Sequence, residues 1–257
     1  MEIVFKDVSY NSLLNNISFS IKKPGIYSFV GSSNSGKTII GKLISGFLTQ
    51  TKGIITVSIN KSKIGYVNQN PYDMFCKDSV YNELLCKMKE NNYKTVNEEK
   101  RIKDALILVG LSEEYLDMDP MKLSISESRK LALSCALIYN PKVIILDEVT
   151  NGLKKSDKKD LIRLLKLLKN KYNKIIIVLS KDTSFCYELS DYVYLMYQSR
   201  IIDSGKISVL ENNDLNRVNL DYPNIVSFVK ECNKKGHYMN YYTNILDLIK
   251  AIYREVH

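Results

Sequence analysis

The chemistry legible in this chain begins with Gly31, Ser32, Ser33, Asn34, Ser35, Gly36, Lys37 and Thr38. They fit the pattern G-x-x-x-x-G-K-[ST], a phosphate-binding loop or P-loop. The glycines let backbone N–H groups close around phosphate oxygens, and a helix starting there adds positive potential. Lys37 then reaches the β and γ phosphates of a nucleoside triphosphate such as ATP, and the Thr38 hydroxyl binds Mg²⁺. A second cluster is Asp147-Glu148, which closes the apolar run Val143-Ile-Ile-Leu146. An apolar strand ending in two acids places Asp147 near the Mg²⁺, and Glu148 where it polarises an attacking water. Gln69 is a third candidate: at the end of a strand facing the P-loop, it binds Mg²⁺ and the water.

These residues need elements to hold them. Ile26–Val30 reads as a buried strand, and Thr38–Leu48 puts Ile39, Ile40, Leu43, Ile44 and Phe47 on one helical face. The first twenty residues read as two strands joined by Ser9–Asn16. Thr51-Lys-Gly53 breaks the chain before a strand over Ile54–Ile59. A strand ending on Gln69 precedes the turn at Pro71. Residues 72–140 read as mostly helical, with periodicity over Val80–Glu90, Glu98–Leu108 and Ser124–Tyr139. Asp157–Lys171 is an amphipathic helix, Ile175–Leu179 the next strand, and Tyr192–Met196 with Arg200–Ile202 a closing hairpin. The last forty residues are polar, with helical patches at Ile225–Cys232 and Ile245–Tyr253. The order gives an α/β chain: a P-loop NTPase core interrupted by a helical insertion.

The bulk properties exclude more than they assign. The 257 residues, 45% hydrophobic, suit one large domain, or a domain with an insertion and a small extension. The net charge of +9 is spread over helical stretches as a solvated surface. It leaves nucleic acid or anionic lipid as conceivable partners, though no nucleic acid is expected. The five cysteines show no C-x-x-C spacing, and with no leader segment they read as reduced cytosolic thiols. No apolar run approaches the roughly 18 residues that span a bilayer. No Asn-Lys-x-Asp base-reading motif occurs, which argues against a GTPase.

In this order the pieces resemble the ATP-binding subunit of ABC transporters, from Met1 to about Ser208. The most specific part is Leu123-Ser-Ile-Ser-Glu-Ser-Arg-Lys-Leu-Ala-Leu133 before Asn140-Pro-Lys-Val-Ile-Ile-Leu-Asp-Glu148, where members of that family carry Leu-Ser-Gly-Gly-Gln. A narrower resemblance is to the A component of energy-coupling factor (ECF) transporters. It rests on Val109-Gly-Leu-Ser-Glu-Glu-Tyr-Leu-Asp117, Asp191-Tyr-Val-Tyr-Leu195, and Leu220-Asp-Tyr-Pro-Asn-Ile225 with Lys235-Gly236. The resemblance implies a RecA-like core with an antiparallel β subdomain over residues 1–210, the insertion at about 72–140, and a dimer-contacting extension over 211–257. It implies a peripheral ATPase on the cytoplasmic face of the cell membrane, powering import of vitamins or other micronutrients. Its implied partners are a second ABC-type ATPase, a membrane-embedded T component and a substrate-binding membrane subunit. The signature of one ATPase contacts the γ-phosphate held by the other's P-loop.

The departures from that family shape the expectation. Ile125 and Ser126 replace the signature glycines, and a side chain at 125 obstructs close approach to phosphate. Val149 replaces a proline, Lys154 reverses the charge of the loop after the acids, and Lys181 falls where the family has its switch histidine. A lysine donates to a γ-phosphate but does not share a proton near neutrality as imidazole does. The adenine-stacking aromatic falls near Ser12, with Tyr10 as substitute. The implied site on this chain's own P-loop keeps Lys37, Thr38, Gln69, Asp147 and Glu148, while the site using its signature is impaired. Two other readings stand beside the importer: an ATP-binding but hydrolytically weak structural or regulatory subunit, and a soluble ABC-type ATPase acting on nucleic acid or ribosomes.

Overall fold

Alternating apolar residues build a hairpin from the first turn of chain, β1 (Ile3–Tyr10) against β2 (Leu14–Ile21). The structure, a computed structural model, describes residues 1–256. β3 (Gly25–Gly31) runs into the P-loop, and α1 (Lys37–Ser45) leaves it. β4 (Lys52–Val57) returns to pair with β1, and β5 (Ile64–Val67) opens the stretch that leads into the helical insertion. That insertion consists of α2 (Val80–Glu90), α3 (Glu98–Leu108) and α4 (Ile125–Leu137). β6 (Val143–Asp147), α5 (Lys155–Tyr172), β7 (Ile175–Ser180), α6 (Thr183–Leu189) and the hairpin β8 (Tyr192–Tyr197) with β9 (Arg200–Gly205) complete the core. α7 (Val209–Asn212), α8 (Asn224–Lys234) and α9 (Ile245–Val256) follow.

The six-stranded sheet has the order β5-β6-β7-β3-β8-β9, parallel except for the β9 edge, and β2-β1-β4 form a separate antiparallel sheet. The central strands β6 and β7 are buried along their whole length. That burial explains their unbroken apolar sequences, since a parallel strand is covered on both faces. One face of the large sheet packs with α1 against the antiparallel sheet, where Phe5, Phe19, Phe29 and Tyr194 stack. The other face packs against α2–α6 through Leu84, Ile102, Leu131, Leu146 and Leu165. Strand order reverses around β3, so its carboxyl end opens at a switch point where ligands of such sheets bind.

Several boundaries differ from the sequence expectation. The Ser9–Asn16 connection shrinks to Asn11–Leu13, because Asn11 and Asn16 take positive φ (45° and 54°) and let both strands run on. The break at Thr51–Gly53 is the start of β4, since Gly53 at φ 83° lets the backbone pass close to the Lys6 and Asp7 carbonyls. β5 stops at Val67, so Gln69 is not at a strand end. The Asn68 N–H turns to Met74 Sδ instead of the sheet (3.4 Å), and Pro71 starts a 3-10 turn. α6 has no clear periodicity over its seven residues; Asp182, accepting from the Phe185 N–H, starts it.

Candidate functional site

At the carboxyl end of β3 the P-loop turns back on itself. A Cβ on Gly31 would lie 2.5 Å from Ser35 Oγ and 2.6 Å from the Met196 carbonyl. Gly36 has φ 99° as the N-cap of α1, a conformation that side-chain-bearing residues avoid. An added Cβ there would also meet the β1–β2 hairpin, Leu14 Cδ2 at 2.6 Å and the Leu13 carbonyl at 2.9 Å. That contact brings the hairpin carrying half-buried Tyr10 against the loop. Ser32 is half-buried, Ser33 and Asn34 are exposed at the rim, and the Ser35 hydroxyl is buried without a partner. The Gly31 and Gly36 cradle and this orphan hydroxyl fit a phosphate.

Lys37 lies 5% exposed with Nζ donating to the carbonyls of Gly31 (2.7 Å) and Ser32 (2.9 Å), and Glu148 Oε1 at 3.5 Å. Burial lowers its pKa, opposed by the charges of Glu148 and Asp147. Asp147 ends β6 directly opposite. Thr38 Oγ1 donates to its Oδ1 (3.1 Å) and Tyr66 Oη to its Oδ2 (3.0 Å). Burial raises the Asp147 pKa, and the two hydroxyls hold it back. Glu148 takes φ 47°, a left-handed conformation rare outside glycine and asparagine, with a strain on the order of 1–3 kcal/mol. Its N–H donates to the Leu179 carbonyl (2.8 Å), and the backbone N–H of Lys181 donates to its Oε2 (3.3 Å). Lys37, Thr38, Asp147 and Glu148 therefore form one cluster, positioned by β3, α1, β6 and β7.

Other predicted residues stay outside it. The Lys181 side chain is exposed, and only its backbone reaches Glu148. Gln69 is exposed and makes no side-chain hydrogen bond to the cluster among the described residues. Tyr66 was not among the predicted residues, although its placement three residues before Gln69 on an apolar strand is a usable signal for a buried hydroxyl.

The signature stretch is tied to its own chain. Ser124 and Glu127 form a capping box at the start of α4, and Tyr115 Oη donates to Glu127 Oε1 (2.6 Å). Ser126 Oγ donates to Asp157 Oδ2 (2.9 Å) and Lys130 Nζ pairs with Asp157 Oδ1 (3.2 Å). Ile125 rests over the loop after the acids: a Cβ on Gly152 would lie 3.4 Å from its Cγ1.

Residues 14–151 match the family model described as ABC transporter. The chain belongs to the ABC transporter family. It is an ABC ATPase, an ATP-binding chain whose hydrolysis is coupled to transport. It is 31% identical to the energy-coupling factor transporter ATP-binding protein EcfA1 of Ligilactobacillus salivarius, over 87% of this chain and 83% of that one. Among solved structures it resembles cbiO1 from Clostridium perfringens, part of the ABC transporter complex cbiONQ, at TM-score 0.72 and 25% identity, over 89% of this chain and 98% of that one. The ATP-binding cassette MJ0796 bound to ADP and Pi superposes at TM-score 0.74 and 20% identity, over 80% of this chain and 98% of that one, which supports the fold. Among the described residues of this ABC ATPase, no helix is long and apolar enough to cross a membrane.

Proposed function

We propose that this ABC ATPase is one half of a heterodimer powering an ECF-type importer of vitamins or other micronutrients. It would sit at the cytoplasmic face of the membrane on a T component, beside a substrate-binding membrane subunit. The observation that carries the reading is an asymmetry. The P-loop side sets Lys37 against Glu148 (3.5 Å) and Thr38 on Asp147 (3.1 Å), whereas the signature side presents Ile125 and engages Ser126 with Asp157. A partner with a sound signature would complete the first site; two copies of this chain would join two poor ones. α9 supports a dimer contact over 211–257, because Ile245, Leu246, Ile249 and Tyr253 are exposed on it.

In this reading the loop N–H groups and Lys37 bind the β and γ phosphates. Mg²⁺, held by Thr38 and Asp147 with Gln69 swung in, would neutralise phosphate charge. A triphosphate competes for the Lys37 ammonium, and drawing it away frees Glu148 Oε1 to accept a hydrogen bond from the attacking water. The hairpin tip with Tyr10 would meet the adenine. Lys181, exposed just past the end of β7, would donate to the γ-phosphate in the closed dimer. Its exposure also favours a second reading, a hydrolytically weak regulatory subunit. Native mass spectrometry of the complex purified with a T component and a second A component tests the proposal. One copy each of the two ATPases is expected; two copies of this chain would overturn it.

A further inference from the structure

Between the helical insertion and the core lies a cavity of about 310 Å³. That is on the order of ten water volumes and within the range of small-molecule pockets. Val67 and Leu146 from the sheet, Leu133 from α4, Leu153, and Leu161 and Leu164 on α5 make it apolar. One polar group in its wall is unanswered. Arg129 is 8% exposed, its Nε has no hydrogen-bond partner, and its guanidinium makes a single long bond, Nη1 to the Glu148 carbonyl at 3.5 Å. Among the described residues no carboxylate pairs with it. The acids of the wall are engaged elsewhere: Asp157 with Ser126 and Lys130, and Asp160 with Arg163 at 2.9 Å. Burial lowers the Arg129 pKa, with the charge of Glu148 opposing.

A buried, unpaired guanidinium is costly, and a partner anion offsets that cost. Its planar fork matches a carboxylate in bidentate geometry. The other charges at the wall are paired, Lys130 with Asp157 and Asp160 with Arg163, so among the described residues Arg129 is the one cation left there for an anion. The apolar walls select a hydrocarbon body. We propose that this cavity binds a small amphiphilic monocarboxylate, with its carboxylate on Arg129 and its body among the leucines of α4 and α5. Such an occupant bridges the signature helix to the strand that ends in Asp147, without touching the P-loop. The inference stands apart from the identity of the cargo and of the ATPase partner.

Octanoate is the probe, titrated calorimetrically into the full chain, with 1-octanol as the uncharged control. Saturable one-to-one binding of octanoate is expected, with octanol weaker by about tenfold or more, the scale of one charge-assisted contact. Arg129→Gln should weaken octanoate by a similar factor. Leu164→Trp, which fills the cavity from α5, should abolish binding while its thermal midpoint stays near that of the parent. If Arg129→Gln does not fold, Leu164→Trp and the octanol control still decide. Absence of saturable binding at millimolar octanoate, equal affinity for octanol, or unchanged binding in the folded variants would overturn the proposal.

Discussion

Replacing Tyr66 by Phe removes one oxygen and keeps the ring, which stays packed edge-on to Phe47 with centroids 5.6 Å apart. The lost group donates to Asp147 Oδ2 at 3.0 Å from a side chain only 8% exposed. The phenol keeps its proton, because burial and the Asp147 charge both raise its pKa far above neutrality. A hydrogen bond to a charged group contributes about 1.5–3 kcal/mol, and removing the donor leaves a buried carboxylate oxygen unsatisfied. The nucleotide-free chain should therefore lose about 1–3 kcal/mol at pH 7, read as a lower urea midpoint. The Asp147 pKa, which burial raises and the Tyr66 hydroxyl holds back, should rise further without that hydroxyl. A carboxylate that ionises less readily binds Mg²⁺ less readily, so the Mg²⁺ concentration for half-maximal ATP affinity should rise, and rise more as pH falls. Urea melts and calorimetric ATP titrations across Mg²⁺ concentrations test both arms. Unchanged stability with an unchanged Mg²⁺ requirement would refute the reasoning and leave Thr38 as the sole support of Asp147.

Three further outcomes follow, two from the same cluster and one from exposed Lys181 beside it. Lys37→Ala should weaken Mg-ATP binding tenfold or more, about 1.5 kcal/mol upward for a charge-assisted contact, and equal affinity by titration would remove the P-loop assignment. Asp147→Asn should make the nucleotide-free chain more stable at pH 7. A folded pKa raised above the ordinary 3.8 of an aspartate means the parent is penalised once the carboxylate ionises. The gap between the two proteins should narrow as pH falls through the folded pKa and vanish below about 3.8; chemical denaturation across pH reads it, and a gap that widens toward acid would contradict the sign. Lys181→Ala should weaken ATP-driven closure of a mixed dimer in sedimentation, and Lys181→His should raise its single-turnover rate. If both match the parent, Lys181 is a solvated lysine and Val149 or Lys154 sets the rate.

What was legible in the sequence follows a physical divide. The P-loop is read directly because its chemistry is fixed by the spacing of eight consecutive residues, Gly31 to Thr38. β6 is read directly because a strand covered on both faces must be apolar until it reaches the site. The Tyr66–Asp147 bond joins residues 81 apart, and Lys181 N–H to Glu148 joins residues 33 apart. Neither has a local pattern, and both exist only because β5, β6 and β7 lie side by side. The sequence names Ile125 and Ser126 as departures but not their attachments, since Gly152 and Asp157 meet them through α4 packing beside α5. Gln69 shows the limit from the other side: it lies two residues before the turn at Pro71, yet β5 ends at Val67 and leaves it exposed.

The proposed heterodimer requires a sound site on this chain's P-loop beside an impaired signature. Single-turnover ATP hydrolysis in a mixed dimer, with the partner A component's own P-loop disabled, isolates the site built on Lys37 and Glu148. The account predicts slow hydrolysis by this chain alone, turnover restored by the partner, and loss of that turnover in Glu148→Gln. Fast hydrolysis by the chain alone, or a mixed dimer indifferent to Glu148→Gln, would contradict it.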